Sequence, residues 1–200
     1  MDALSNEKIE TIKSRVRASW LEDGLWEILW GIWFLMVSGG AFLIYLYKES
    51  PALKIAGLAM IIIGSFTPLL LWRRFRAKYS WAKGGYSILR HKYSAASGIA
   101  IALSLFSFFG YLLVGVHFKG FLLGMFIFFI LLSIYFSSGL KRFVIISSIP
   151  LSAGIISLLF KNPNEIILNF IVFCPTGIAI LISGLKAFRA FRSRYDEQLK

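Results

Sequence analysis

The chain has 200 residues, 58% of them hydrophobic, with a mean hydropathy of +0.72 and a formal net charge of +12. Soluble domains carry about 45–50% apolar residues, so a soluble fold of this length is excluded and a bilayer must cover much of the surface. The length allows one domain, and the positive charge reads as cytoplasmic loops near anionic lipid rather than as a nucleic-acid surface.

Residues 5–22 form the first expected element, a basic amphipathic helix. Ile9, Ile12, Val16 and Trp20 line one face at helical spacing, with Lys8, Lys13, Arg15 and Arg17 among them. Ser5 is placed to cap its start. Such a helix before a span lies in the membrane interface with its Trp at headgroup depth. The stretch before Leu25 mixes both charge signs, and no small-residue cleavage site follows the apolar run, so no removable signal peptide is expected.

Six apolar segments follow, at 25–47, 53–72, 94–116, 120–138, 142–160 and 165–186. Crossing a bilayer takes about 20 such residues. The long apolar run from Phe121 to Phe160 is split by Ser137-Ser138-Gly139-Leu140-Lys141-Arg142, where Gly139 ends one helix. Asn162-Pro163-Asn164 makes the next turn, with Asn as a helix cap. The expected fold is therefore all-α: a six-span helix bundle with an interfacial N-terminal helix over 1–24, a basic loop over 73–93 and a basic tail over 187–200.

Lys and Arg alternate by side. The N-terminal stretch, the loop with Arg73, Arg74, Arg76, Lys78, Lys83, Arg90 and Lys92, the turn with Lys141 and Arg142, and the tail hold 18 of them. The other side holds Lys48, Lys54, Lys119 and Lys161. The positive-inside rule then places both termini in the cytoplasm of a multi-pass protein of the inner cell membrane. The sequences leaving spans 2, 4 and 6 resemble one another, as Trp72-Arg73-Arg74-Phe75-Arg76, Leu140-Lys141-Arg142-Phe143 and Leu185-Lys186-Ala187-Phe188-Arg189. Snorkelling cations and anchoring aromatics explain that likeness better than three repeated hairpins do.

Small residues mark the expected packing seams. Gly24, Gly31 and Ser38 recur every seven residues, as do Gly57 and Gly64, Ser97 and Ser104, and Gly177 and Gly184. Gly120 and Gly124 form a GxxxG pair, read first as an internal seam and second as a dimer contact. Ser107, Ser147, Ser148, Ser152 and Ser157 are expected to bond back to their own helices.

Few residues offer chemistry. Glu27 is the one carboxylate well inside a span, and its burial asks for a partner, expected from the cations of the 73–92 loop. Cys174 is the only cysteine, and His91 and His117 fall on opposite sides, so neither a disulfide, a metal nor a cofactor is expected. Asp23-Gly24 starts like a phosphatidyltransferase motif but lacks its Ala-Arg and later aspartates. Neither Gly-x-Ser-x-Gly nor a P-loop occurs, so no catalytic residue is assigned. Pro68, Pro150 and Pro175 interrupt spans, and Cys174-Pro175-Thr176-Gly177 with Asn169 is the best candidate for a midplane transport site. The basic loop interleaves its cations with Phe75, Tyr79, Trp81 and Tyr86, which suits a segment lying on anionic headgroups.

Asp23-Gly24-Leu25-Trp26-Glu27 with Gly31, Lys83-Gly84-Gly85-Tyr86, and the Phe- and Arg-rich end of the last span together resemble a family of small, uncharacterised prokaryotic membrane proteins. That family's loop reads Tyr-Pro-Arg-x-Gly-Tyr, whereas this chain has Trp81-Ala82-Lys83-Gly84-Gly85-Tyr86, without the Pro and with Lys for Arg. The resemblance covers short patches and implies six spans, a cytoplasmic basic loop and no particular activity.

The expectation is a non-enzymatic membrane protein that meets anionic lipid, a protein partner or a second copy of itself. Its contact residues would be Arg73, Arg74, Arg76, Lys78, Trp81, Lys83, Tyr86 and Arg90. The alternative is a small transporter or channel built around Asn169 and Pro175.

Overall fold

The computed structural model describes residues 24–79, 95–160 and 164–198, with the side chains of 69, 72–79 and 194–198 left aside. The amphipathic helix expected over 5–22 falls outside the described residues. The described residues form α1 (Leu25–Leu46), α2 (Pro51–Tyr79), α3 (Ala95–Leu113), α4 (Val116–Ser138), α5 (Arg142–Ser157) and α6 (Glu165–Gln198), with no strands among them. The protein is thus an all-α bundle, and five of its helices are long and apolar enough to cross a membrane.

Helix ends follow local chemistry. Gly139 terminates α4 in the left-handed region at φ 74°, its N–H donating to the Tyr135 carbonyl at 2.7 Å. Asn164 starts α6, its Oδ1 accepting from the Ile166 N–H at 2.9 Å. Two helices run past their expected ends. Arg73, Arg74, Arg76 and Lys78 lie on the last turns of α2 rather than in a loop, and α6 continues through the expected tail to Gln198. Neither stretch holds a Pro or Gly to stop the helix, so the ladder continues through the basic residues.

The expected fifth span is the short one. At 16 residues, α5 is about 24 Å long, less than the about 30 Å of a bilayer core. It nonetheless runs the depth of the bundle. Arg142 at its start reaches Glu27 at the start of α1, and Ser157 at its end faces Gly120 in the first turns of α4.

Helices α1 and α2, and then α3 to α6 in turn, pack as antiparallel neighbours, and α6 closes antiparallel on α1. Helix α1 sits between α2 and α6, α6 also meets α5 and α4, and α3 packs on α4. Helices α2 and α3 therefore flank the bundle and show apolar faces outward, Ile55, Leu70, Phe106 and Leu113 among them. In lipid such faces carry no penalty, and helices associate through close contact instead. The seams are where the small residues are. A methyl on Gly31 would stand 2.7 Å from the Leu181 backbone nitrogen, and one on Gly184 2.7 Å from that of Ile28. Gly24, left-handed at φ 70°, presses on the Gly184 carbonyl. Gly40 and Gly57 meet across α1 and α2, and Gly124 lies against Gly154 and the Pro150 carbonyl, so the GxxxG pair is an internal α4–α5 seam.

The interior is mainly apolar, with Ser147, Ser157 and Thr176 also fully buried. Phe34, Leu123, Ile127, Leu131, Phe143, Ile146, Val172 and Ile180 form one buried cluster. Trp26, Trp30 and Trp33 climb one side of α1 in successive ring contacts and continue to Phe34 and Phe173. Ser107, Ser147, Ser148, Ser152 and Ser157 each donate to a carbonyl three or four residues earlier, as the sequence leads one to expect.

Candidate functional site

Polar side chains gather in two clusters, one at each end of the bundle. At the first, Glu27 stands in the opening turn of α1 and is fully buried. The Arg142 Nε lies 2.7 Å from its Oε1, a contact by proximity because that N–H points off the oxygen axis. The directional bond is donated by Nη2 to Oε2 at 3.1 Å. Ser183 on α6 sits at 3.5 Å from Oε1, the outer edge of hydrogen-bonding distance. Trp26 and Phe143 meet edge to face at 6.2 Å beside this group, and the Arg142 guanidinium lies 5.6 Å from the Phe143 ring centre. One ion pair thus joins the starts of α1 and α5 under an aromatic cover.

The cation was expected from the 73–92 loop; the described partner is Arg142, from the other basic connection at the same end. The side chains of Arg73, Arg74, Arg76 and Lys78, and all of Trp81, Lys83, Tyr86 and Arg90, lie outside the described residues. Sequence reading counted Arg142 only as a topology marker. Its signal was positional, since a cation in a tight turn between spans sits at the same membrane depth as an acid in the first turn of another span.

The second cluster joins α3, α4 and α6 at the opposite end. The Tyr111 hydroxyl donates to Glu165 Oε1 at 2.7 Å, and Lys119 Nζ donates to Oε2 at 2.8 Å. Lys119 also lies 5.3 Å from the Tyr111 ring centre. One turn along α6, Asn169 donates through Nδ2 to the Tyr111 hydroxyl at 3.4 Å. Its Oδ1 is buried and has no hydrogen-bond donor among the described residues. Tyr111, Lys119 and Glu165 were missed as site residues; charges and a tyrosine at the ends of three spans, all on the less basic side, were the available signal.

Of the two residues read as a midplane candidate, Asn169 bonds Tyr111, and Pro175 lies further along α6. Asn169 is engaged at the Glu165 end, while Pro175 stands in the first third of α6 next to buried Thr176, whose hydroxyl donates to the Val172 carbonyl at 2.6 Å. Among the described residues no three His, Cys, Asp or Glu side chains gather as metal ligands.

The two clusters bracket the apolar interior. From Glu165 to Ser183 along α6 is about 27 Å at 1.5 Å per residue, close to the about 30 Å hydrocarbon core of a bilayer. Polar rims at that separation, apolar flanks and five span-length helices define a multi-pass integral membrane protein. No family model, curated protein or solved structure matches the chain, so the family resemblance rests on its own short motifs.

Proposed function

We propose that the protein acts without catalysis, through the basic surface at its Glu27 end, and that anionic lipid headgroups on the cytoplasmic side are what that surface meets. The observation that carries the reading is the extension of α6. It continues about 20 Å beyond Ser183, and Lys186, Arg189 and Arg192 are exposed along it. The cationic last turns of α2 emerge at the same end, since α2 returns antiparallel to α1. A rigid helical projection presents its charges at fixed spacing. Near an anionic leaflet each Lys or Arg contributes about 1 kcal/mol, decaying within a Debye length. A protein partner with an acidic face is the second occupant of the same surface.

The transporter alternative needs a polar site at mid-depth. It has less support, because Asn169 is drawn to the Glu165 end and the middle layer carries Phe34, Phe173 and Val172.

The test is retention of phosphatidylglycerol by the detergent-purified protein, measured by mass spectrometry at rising salt. Wild-type protein is expected to hold the lipid at low salt and release it at high salt. Arg73→Gln/Arg74→Gln/Arg76→Gln and Lys186→Gln/Arg189→Gln/Arg192→Gln should each hold less. Retention unchanged in both variants refutes the reading, and a salt-sensitive protein co-purifying in place of lipid favours the second occupant.

A further inference from the structure

The Tyr111–Lys119–Glu165–Asn169 cluster lies at the end of the bundle away from the basic surface, and its unmet bonding capacity is specific. The Asn169 Oδ1 is a buried acceptor with no donor among the described residues. Burying such a group without a partner is costly, so a donor is called for at that point. Lys119 has three ammonium hydrogens, and one goes to Glu165. The Glu165 carboxylate accepts from both Tyr111 and Lys119, yet its side chain is 39% exposed.

The three groups are ordered by depth. Glu165 opens α6 at the rim and is held level with Lys119 by their 2.8 Å contact. Asn169 is one turn further in, about 6 Å deeper. Exposed Leu112, Leu113, Val116 and Phe118 stand on the neighbouring ends of α3 and α4. A ligand that fits must offer a positive group for Glu165 and an anion for Lys119 at the rim, a hydroxyl for Asn169 one turn deeper, and an acyl chain for the apolar flank.

We propose that this cluster is the headgroup site for a zwitterionic lysophospholipid. Its ammonium meets Glu165, its phosphate meets the remaining Lys119 donors, and the free glycerol hydroxyl donates to Asn169 Oδ1. A diacyl lipid carries an ester where that hydroxyl would be and has no donor to give. Lys119 lies over the Tyr111 ring, and on this proposal its displacement is the movement that lets the hydroxyl reach Asn169.

The experiment measures binding of 1-palmitoyl-lysophosphatidylethanolamine to the full chain in nanodiscs, beside its 2-O-methyl ether and the soluble headgroup glycerophosphoethanolamine. The lysolipid is expected to bind about tenfold more tightly than the methyl ether, the effect of one hydrogen bond to a buried acceptor. The soluble headgroup should bind far more weakly than either lipid. In Asn169→Leu the lysolipid and its ether should bind equally, a change that a purely structural role for Asn169 does not produce. Equal affinity of the two lipids for wild-type protein overturns the proposal without requiring any variant to fold. So does a preference that persists in Asn169→Leu, or a headgroup that binds as tightly as the lipid.

Discussion

The Glu27–Arg142 pair makes a prediction whose size follows from unequal burial. Glu27 is fully buried, whereas the Arg142 side chain retains 27% of its exposure. Removing the cation deletes the described charge partner of a fully buried carboxylate; removing the acid leaves an arginine that water still reaches. Arg142→Met keeps most of the aliphatic packing and deletes the charge. Breaking a buried pair in this way costs about 3–5 kcal/mol. Glu27 retains its approach to Ser183 at 3.5 Å, which places the expected cost at the lower end.

Glu27→Gln removes the charge and keeps an amide of the same shape, with an expected cost of about 1–2 kcal/mol. Because the residues touch, the double variant should cost less than the two single changes together. Denaturant titration in detergent micelles reads all three. If Arg142→Met is no more destabilising than Glu27→Gln, or the double variant costs as much as the two single changes together, the buried-pair reasoning is wrong.

The other predictions concern backbone contacts and the second cluster. Gly31→Leu should separate α1 from α6, since even a methyl there stands 2.7 Å from the Leu181 backbone, and thermal melting should fall by far more than for Gly98→Ala, where nothing lies within 4 Å. Gly98→Ala in the α3 interior should be neutral or stabilising by about 0.5–1 kcal/mol, the usual glycine penalty in a helix. Gly139→Ala has open space around it but a φ of 74°, so it should cost about 1 kcal/mol from backbone strain alone, read as a lowered unfolding midpoint. Glu165→Gln should lower the melting temperature less than Arg142→Met does, because that pair is partly exposed, and raising the salt concentration should narrow the gap from wild type.

Residues whose role depends on their own helix were the most legible. Gly139 and Asn164 could be assigned because a cap is fixed by its immediate neighbours. The sevenfold glycines marked seams because only a residue without a side chain permits backbone approach, although which helix each seam faces required the fold. Gly40 shows that limit: it falls outside the Gly24–Gly31–Ser38 register, yet it meets Gly57 directly. Partners across the bundle were not legible. Arg142 is 115 positions from Glu27, and nothing local distinguishes it from Lys141. The extensions of α2 and α6 were missed because polarity was taken to mark the end of a helix. Polarity marks the end of the membrane, and a helix ends only where its ladder is broken.

The short α5 shows how the two polar rims act together. A helix of 16 residues is too brief to set its own depth by hydrophobic matching, which needs about 20 residues. Its position is instead fixed by contacts at both ends. Arg142 fastens its first residue to Glu27, and Ser157 fits its last turn against Gly120, the neighbour of Lys119 in the opposite rim. Between them Pro150 and Gly154 lie against Gly124, so the α4 and α5 backbones are in contact at mid-depth. The ion pair at one rim therefore orients a helix that lipid alone would hold only loosely. That role gives a physical reason for a fully buried carboxylate at Glu27, where an apolar side chain would pack at lower cost. An apolar replacement would keep the contacts of Gly120 and Gly124 that hold α5 on α4 but remove the ion pair that ties its first residue to α1.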